Sequence, residues 1–543
     1  MSEHLLAWLI FWPLVAGALL FVLPKSWART WALLAALGEF GLAIALAGNL
    51  QPTPSWQFTE RWSWILPLGI TFHLASDGIS GFLVMTTAAL TPLAILATVV
   101  APAGTPGTNH ARREFGRAFF FWILAFAGSM IGALLTLDLL VFYVFWELML
   151  LPAFFLVGIW GGEQRVPATV KFALMTLVGS LTMLLAILYI GVRIHDTTGA
   201  WSFGYEQALG LSFSRKEEIW LFFAFMAAFA VKIPLFPLHP WLPGAYTAAP
   251  TAAVLLMSAV MAKLGVYGLL RFAIPMFPNA AFGFGGLFMA LATIGILYGA
   301  LLALGQGDIK RLIAYSSFSH LGWITLGILA FNLVGVTGAV YQMLSHAVAT
   351  GALFLLVGML WERAQSTDIK QFSGLATVAP YLATCFVIVS LASLGLPGLN
   401  GFIGEFMILL GAWGRSPWAA GFGAVGVVLG AAYLLFLLQR TMFGPVKLHE
   451  EAPGQSAKRP AFADLSWREA IVVLPLVSLT VIMGVWPAPF LERIEPAVRQ
   501  LLLIVEARRT AMPDSFIAVN NGQPSRRLWD EAHQGSYVWI TYR

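Results

Sequence analysis

Ala230-Val-Lys-Ile-Pro-Leu-Phe-Pro-Leu-His-Pro-Trp-Leu-Pro-Gly244 lies inside an apolar run that reads as a membrane span, yet it carries Lys232 and a proline at every third position, Pro234, Pro237, Pro240 and Pro243. Each proline lacks a backbone N–H and clashes with the carbonyl four residues back, so a helix entering here must break. In hydrocarbon the freed carbonyls need partners, and broken backbone survives only inside protein or beside a water-filled cavity. A lysine at mid-bilayer adds at least ~2.5 kcal/mol of cost. Two expensive features side by side point to a polar pathway.

A second interruption follows roughly 160 residues later, at Leu394-Gly-Leu-Pro-Gly-Leu-Asn-Gly-Phe-Ile-Gly-Glu405. Pro397 and its flanking glycines break the span, and Glu405 supplies the charge. Paired interruptions in corresponding halves of a chain point to a transport site between inverted repeats. The pairing is imperfect: Lys232 precedes its prolines, whereas Glu405 follows Pro397. The bland alternative is two kinked helices whose charges only hold a bundle together.

The composition belongs to a polytopic, all-α membrane protein. Of 543 residues, 59% are hydrophobic and 10% charged, with 41 Phe and 21 Trp, where soluble domains carry about 25% charge. The one cysteine, Cys385, excludes an internal disulfide framework and any multi-cysteine iron–sulfur site within the chain. Neither a dinucleotide fingerprint nor a Walker motif is present. The net charge of +5 reads as positive cytoplasmic loops rather than a nucleic-acid footprint. No nucleic-acid partner is expected. The run 5–23 has its basic flank (Lys25, Arg29) after it, so it should stay as a helix rather than be cleaved.

Apolar runs near twenty residues predict fourteen spans, at 5–23, 31–50, 78–100, 117–136, 138–160, 167–193, 219–244, 250–274, 281–304, 309–331, 334–361, 378–413, 418–443 and 469–487. The longest, 378–413, should be two half-helices. Loops after odd-numbered spans hold Lys25 and Arg29, Arg112 and Arg113, Arg165, Lys310 and Arg311, Arg363 and Lys370, and Lys447, Lys458 and Arg459. Loops after even-numbered spans are poorer, with Arg61, Arg215 and Lys216 the main exceptions. The positive-inside rule puts the odd loops in the cytoplasm and both termini outside. The Trp-rich loop 56–64 suits the outer interface. Residues 445–466 read as a polar linker, 496–508 as an interfacial amphipathic helix, and the tail beyond Arg509 shows no motif.

Four ionisable residues fall within separate spans: Glu147 in the fifth, Lys232 in the seventh, Lys263 in the eighth and Glu405 in the twelfth. Their formal charges cancel, as a dry bundle requires. Such residues face the bundle interior and usually mark proton or ion paths. Two structural salt bridges would explain the neutrality, but not why both broken helices carry a charge. A Glu–Lys pair at ~4 Å and an effective dielectric of ~20 interacts by ~4 kcal/mol, whereas one charge crossing ~100 mV involves ~2.3 kcal/mol. Moving the carboxylate is therefore energetic enough to gate a proton transfer. His320 and His346, in spans ten and eleven, could accept and pass protons through their two ring nitrogens; a packing histidine is the competing reading for each. Asp138 should cap the fifth span. No His/Asp/Glu set has zinc-ligand spacing.

Four segments carry a specific resemblance: Phe145-Trp-Glu-Leu-Met-Leu-Leu-Pro152, Val231-Lys-Ile-Pro-Leu-Phe-Pro-Leu-His-Pro-Trp-Leu-Pro243, Asp308-Ile-Lys-Arg-Leu-Ile-Ala-Tyr-Ser-Ser317 and Leu396-Pro-Gly-Leu-Asn-Gly-Phe-Ile-Gly-Glu405. They resemble the antiporter-like proton-pumping subunits of respiratory complex I, the bacterial NADH–quinone oxidoreductase, and within them the M-type, ND4-like branch. The likeness covers nearly all of residues 1–490. It implies an all-α protein of fourteen helices: three N-terminal helices in 1–116, inverted five-helix repeats in 117–275 and 276–444, a linker and last helix in 445–487, and a tail in 488–543.

The resemblance further implies a hydrophilic axis with Glu147 as gating carboxylate, Lys232 as its switching partner, Lys263 as central relay, His320 and His346 as carriers, and Glu405 as terminal group. Glu405 is informative because antiporter relatives usually place a lysine there. It implies a subunit of a proton-translocating enzyme in the bacterial inner membrane, lying between two related antiporter-like subunits and surrounded by lipid. No cofactor is expected in this chain; NADH, FMN, iron–sulfur clusters and quinone would belong to partner subunits. A subunit of a sodium/proton antiporter or hydrogenase-linked pump, and a stand-alone secondary carrier, remain the alternatives.

Overall fold

The computed structural model describes residues 4–98, 115–446 and 462–510. Arg112, Arg113, Lys447, Lys458 and Arg459, most of the linker and the tail beyond Thr510 lie outside the described residues. The chain folds as α1 (Leu5–Leu19), α2 (Ala28–Asn49), a hairpin of β1 (Gln57–Ile65) and β2 (Ile70–Ser76), α3 (Ser80–Leu96), α4 (Arg117–Leu135), α5 (Leu139–Leu148) and α6 (Leu150–Trp160). It continues with α7 (Arg165–Thr198), α8 (Tyr205–Gly210), α9 (Arg215–Lys232) and α10 (Leu242–Ala248), then α11 (Thr251–Met276). The second half holds α12 (Pro278–Leu304), α13 (Ile309–Leu329), α14 (Leu333–Ala364), α15 (Pro380–Ser393), α16 (Asn400–Arg415), α17 (Pro417–Thr441), α18 (Trp467–Val485) and α19 (Ala488–Thr510). Ten helices among the described residues are long and apolar enough to cross a membrane, and α1, α3 and α15 are shorter apolar helices.

Local chemistry starts several of these helices where the sequence puts them. Ser214 with Glu217, and Ser466 with Glu469, form reciprocal capping boxes on α9 and α18. Asp138 accepts from the Leu140 and Val141 N–H groups and caps α5, as expected. Asp308 caps α13 in the same way through Arg311 N–H. Between α5 and α6, Pro152 cannot donate to Leu148 O, and the regular ladder is interrupted at Met149. The fifth span is thus two short helices, with Glu147 beside the junction.

The layers sort by exposure. Helices α2, α7 and α17 keep large apolar side chains such as Leu34, Leu185 and Val428 on the outside, as lipid-facing helices do. In contrast α11, α13 and α14 are almost wholly covered by other helices, and α14 packs against α11, α13, α15, α16, α18 and α19. A helix covered all round can carry polar groups without presenting them to hydrocarbon. Lys263, His320 and His346 lie on these three helices.

Both predicted interruptions are present. α9 stops at Lys232 and α10 begins at Leu242; α15 stops at Ser393 and α16 begins at Asn400. The freed backbone is satisfied inside the protein: Trp241 Nε1 donates to Val231 O at 2.8 Å, and Lys310 Nζ donates to Thr247 O at 3.0 Å and Ala249 O at 2.6 Å. Lys310, read from sequence as a positive charge at a helix start, also caps the C-terminal end of α10, where the helix dipole favours positive charge.

Three expectations change. The Trp-rich stretch 56–64 is the first strand of an antiparallel hairpin, so the fold is helical with one two-stranded exception. Its Glu60 accepts from Leu6 and Ala7 N–H at 2.7 and 3.2 Å and caps α1. The amphipathic helix starts at Ala488, before Pro496, and buries Ile494, Val498 and Val505 against the bundle rather than only resting at an interface. The inventory of buried charge was also incomplete: Arg271 on α11 pairs with Asp77 at 2.6 Å, and Glu39 on α2 is fully buried.

Candidate functional site

Lys232 is the last residue of α9 and is buried at 1% exposure. Its Nζ has no hydrogen-bond partner among the described residues and lies 4.9 Å from the centroid of the Trp146 ring, a cation–π placement. The half-helix C-terminus adds a favourable partial negative charge. Glu147, next to Trp146, is the carboxylate that acts on this ammonium. Tyr143, one turn earlier, and Ser180 on α7 are the polar neighbours of Glu147, whose Oε1 is left without a partner. Glu147 and Lys232 are thus electrostatic neighbours without a closed ion pair.

The eighth span presses against this break. A Cβ on Gly265 would stand 2.8 Å from Ile233 Cγ1, 3.0 Å from Ile233 N and 3.2 Å from Lys232 Cβ, so only glycine lets α11 approach so closely. Gly265→Ala should push the helices apart and lower stability by about 1–3 kcal/mol, the usual range for overpacking. Thermal melting of the purified protein checks this; an unchanged midpoint would mean the contact is slack.

Lys263, two residues before Gly265, is also 1% exposed. It sits just after the π-turn Met257–Met261, and its Nζ donates to Ser258 O at 2.5 Å. π-turns loosen the regular ladder and recur at functional sites; here a carbonyl of the turn is taken by a side-chain ammonium. No hydrogen bond joins Lys232 to Lys263 among the described residues.

Beyond Lys263 lie two buried histidines and Glu405. Lys263 and His320 are the groups that act on His346, and the His320 and His346 rings are 5.1 Å apart. His320 Nδ1 lies 3.0 Å from Glu405 Oε1, close but not aligned as a hydrogen bond. Gln342 Nε2 donates to the same oxygen at 3.2 Å. Both nitrogens of His346 are buried without a partner among the described residues. Gly395, in the left-handed conformation at φ +78° where α15 ends, backs the carboxylate: a Cβ there would lie 2.9 Å from Glu405 Oε2.

The structure therefore brings His346, His320 and Glu405 together and makes Glu147 the electrostatic neighbour of Lys232, while Lys263 is linked to His346 only through its charge. Gln342 and the Ser316–Tyr433 hydroxyl pair, 2.7 Å apart, were missed. Helical spacing held a signal for two of them: Gln342 is four residues before His346 and Ser316 four before His320, hence on the same helix faces. Tyr433, on α17, feels the Glu405 carboxylate and had no such signal. His239 stands apart, stacked on Phe318 at 4.6 Å between ring centroids. Among the described residues no group of three or more His, Cys, Asp or Glu is placed to hold a metal ion.

Residues 136–430 match the family described as NADH:quinone oxidoreductase/Mrp antiporter, membrane-spanning. The chain is 39% identical over 515 residues to NADH-quinone oxidoreductase subunit M of Rhodobacter capsulatus, covering 92% of this chain and 96% of that protein. It superposes on a chain of respiratory complex I from Thermus thermophilus with bound NADH at a TM-score of 0.79 and 34% identity, covering 92% of this chain and 100% of that one. A chain of the Mrp complex from Dietzia sp. DQ12-45-1b shares the fold, with a TM-score of 0.78 at 22% identity, covering 93% of this chain and 99% of that one. The molecule is, by fold, a multi-pass helical membrane protein with two interrupted spans. It belongs to the family of NADH:quinone oxidoreductase and Mrp antiporter membrane subunits.

Proposed function

We propose that this chain is a proton-translocating membrane subunit of an NADH–quinone oxidoreductase, carrying protons along Glu147, Lys232, Lys263, His346, His320 and Glu405. The observation that carries the reading is the run Lys263–His346–His320–Glu405, in which buried titratable groups succeed one another with the last step at 3.0 Å. Glu147 gates and Lys232 switches. Lys263 receives the proton, the histidines hand it on through their two nitrogens, and Glu405 is the terminal group. Identity of 34–39% to complex I proteins against 22% to the Mrp chain favours this over a sodium/proton antiporter subunit.

The domains are helices 1–3 in 1–116, inverted repeats in 117–275 and 276–444, and the last helix and tail beyond. Support comes from matched local features. Asp138 and Asp308 each cap the second helix of a repeat and bridge to the loop after its third, at Gly204 and Asp368. In each repeat a helix of 34 or 32 residues precedes the broken one. The other membrane subunits of the complex, two of them related to this chain, would be partners together with lipid. Hydride and quinone chemistry, with NADH, FMN, iron–sulfur clusters and quinone, would sit in those partners. Likeness to a bacterial NADH-quinone oxidoreductase subunit supports the bacterial inner membrane as its location, and the charge bias of the loops supports both termini outside.

The test is to purify the intact complex and measure NADH–quinone activity and proton translocation together, for the wild type and for Glu405→Gln and Glu405→Asp. Glutamine cannot titrate and should lower translocation by about tenfold or more, a barrier rise of only ~1.4 kcal/mol. Aspartate keeps a titratable group and should retain partial translocation. Equal behaviour of the two variants would remove Glu405 from the path.

A further inference from the structure

At one end of the bundle two guanidinium groups share an aromatic ring. Arg415 Cζ lies 4.7 Å from the centroid of Phe282, and Arg509 Cζ lies 3.5 Å from the same centroid. Phe331 stacks on Phe282 with centroids 4.2 Å apart and also faces Arg415 at 5.6 Å. The three elements that meet here are the end of α16, the end of α19 and the start of α12.

Among the described residues positive charge outweighs negative charge there. Arg509 is the charged group that acts on Arg415, and like charges held this close repel. Among the described residues the carboxylate in range is Glu506, at 3.9 Å from Arg509 Nη1; Arg415 is held by cation–π contacts. Arg509 Nε is buried without a hydrogen-bond partner. Guanidinium forks match phosphate oxygens in bidentate geometry and are the preferred side chains for that task. Beside them Trp413 is 62% and Trp418 80% exposed, and exposed tryptophans on apolar helices mark the headgroup level of a bilayer.

We propose that Arg415 and Arg509 form a binding site for the phosphodiester headgroup of an anionic phospholipid, which bridges the end of α16 to the C-terminal helix α19. The headgroup supplies the negative charge the pair lacks. The acyl chains lie along the apolar outside of α17, past Phe422 and Val425, which are 53% and 50% exposed. A free phosphate would satisfy the guanidiniums but would make no use of that apolar face. The proposal does not depend on the proton axis.

The test uses the intact complex carrying the full chain, as wild type, Arg415→Gln/Arg509→Gln and Arg415→Lys/Arg509→Lys. Phospholipid retained after detergent exchange is counted by mass spectrometry, in complexes reconstituted with phosphatidylglycerol or with phosphatidylethanolamine. The glutamine variant should hold roughly one fewer phosphatidylglycerol per copy, the lysine variant should keep most of it, and phosphatidylethanolamine should be unaffected, because the surface term depends on charge. Millimolar inorganic phosphate should not displace the lipid. Equal retention by the glutamine variant overturns the site, and displacement by phosphate alone assigns it to a free anion instead. Should the glutamine variant not assemble, a photoreactive phosphatidylglycerol on the wild-type complex decides: labelling in 413–418 or 505–510 supports the site, and labelling elsewhere overturns it.

Discussion

Lys232→Arg should assemble normally and yet lose proton translocation by about tenfold or more. Lysine at this position is nearly inaccessible to water, sits on the face of Trp146 and has no hydrogen-bond partner holding it. It is therefore an ammonium with one electrostatic neighbour, Glu147, and its balance between charged and neutral forms depends on where that carboxylate is. Arginine preserves the charge, the cation–π contact and the pairing with Glu147, but guanidinium does not release a proton near neutrality. Lys232→Met removes the charge while keeping most of the volume, so it avoids the cavity that alanine would leave. A salt bridge that only holds the bundle together tolerates arginine and not methionine. A proton-transferring amine tolerates neither. The measurement is proton translocation in assembled complexes, with assembly scored separately by yield and melting; near-normal pumping by the arginine variant would reduce Lys232 to structural glue.

Glu147→Gln should suppress translocation and coupled quinone reduction by a comparable factor while leaving assembly intact. Glutamine is close to glutamate in size and still meets the Tyr143 and Ser180 hydroxyls that neighbour the carboxylate, so the local packing has little reason to change. What disappears is the charge acting on Lys232. Were the pair to close to ~4 Å, at an effective dielectric of ~20 the interaction would be worth ~4 kcal/mol, more than the ~1.4 kcal/mol that makes a tenfold rate difference. The hydrogen-bond ladder is interrupted at Met149, two residues after the carboxylate. Glu147→Asp keeps the charge on a shorter stem and should fall between. Full coupled activity in an assembled Glu147→Gln complex would make this residue a packing group.

How much of this was legible beforehand follows from the range of each interaction. The two broken spans were readable because proline acts on its own backbone: Pro234, Pro237, Pro240 and Pro397 remove donors and clash locally whatever surrounds them. The apolar spans were readable because hydrocarbon forces backbone pairing within the segment. Lys232, Lys263, Glu147 and Glu405 stood out because a charge in such a run is expensive in any fold. The Asp138 cap was local as well, its side chain reaching N–H groups two and three residues on.

Tertiary structure alone decided what each of these groups meets. Gln342 and Glu405 share a hydrogen bond across 63 residues, and Arg271 reaches Asp77 across 194; no local period encodes either pairing. The Trp-rich stretch 56–64 was missed as a strand because its pairing partner is β2 and the strand is mostly exposed, so it shows no buried alternation of its own. The capping role of Lys310 was invisible because its carbonyl partners, Thr247 and Ala249, belong to the distant broken helix. Sequence by itself determined where the chain must break and where charge is costly, because those are properties of single residues and of the solvent. Only the packing of α13, α14 and α16 determined that His346, His320 and Glu405 meet, because that depends on side chains from three helices coming together in one interior.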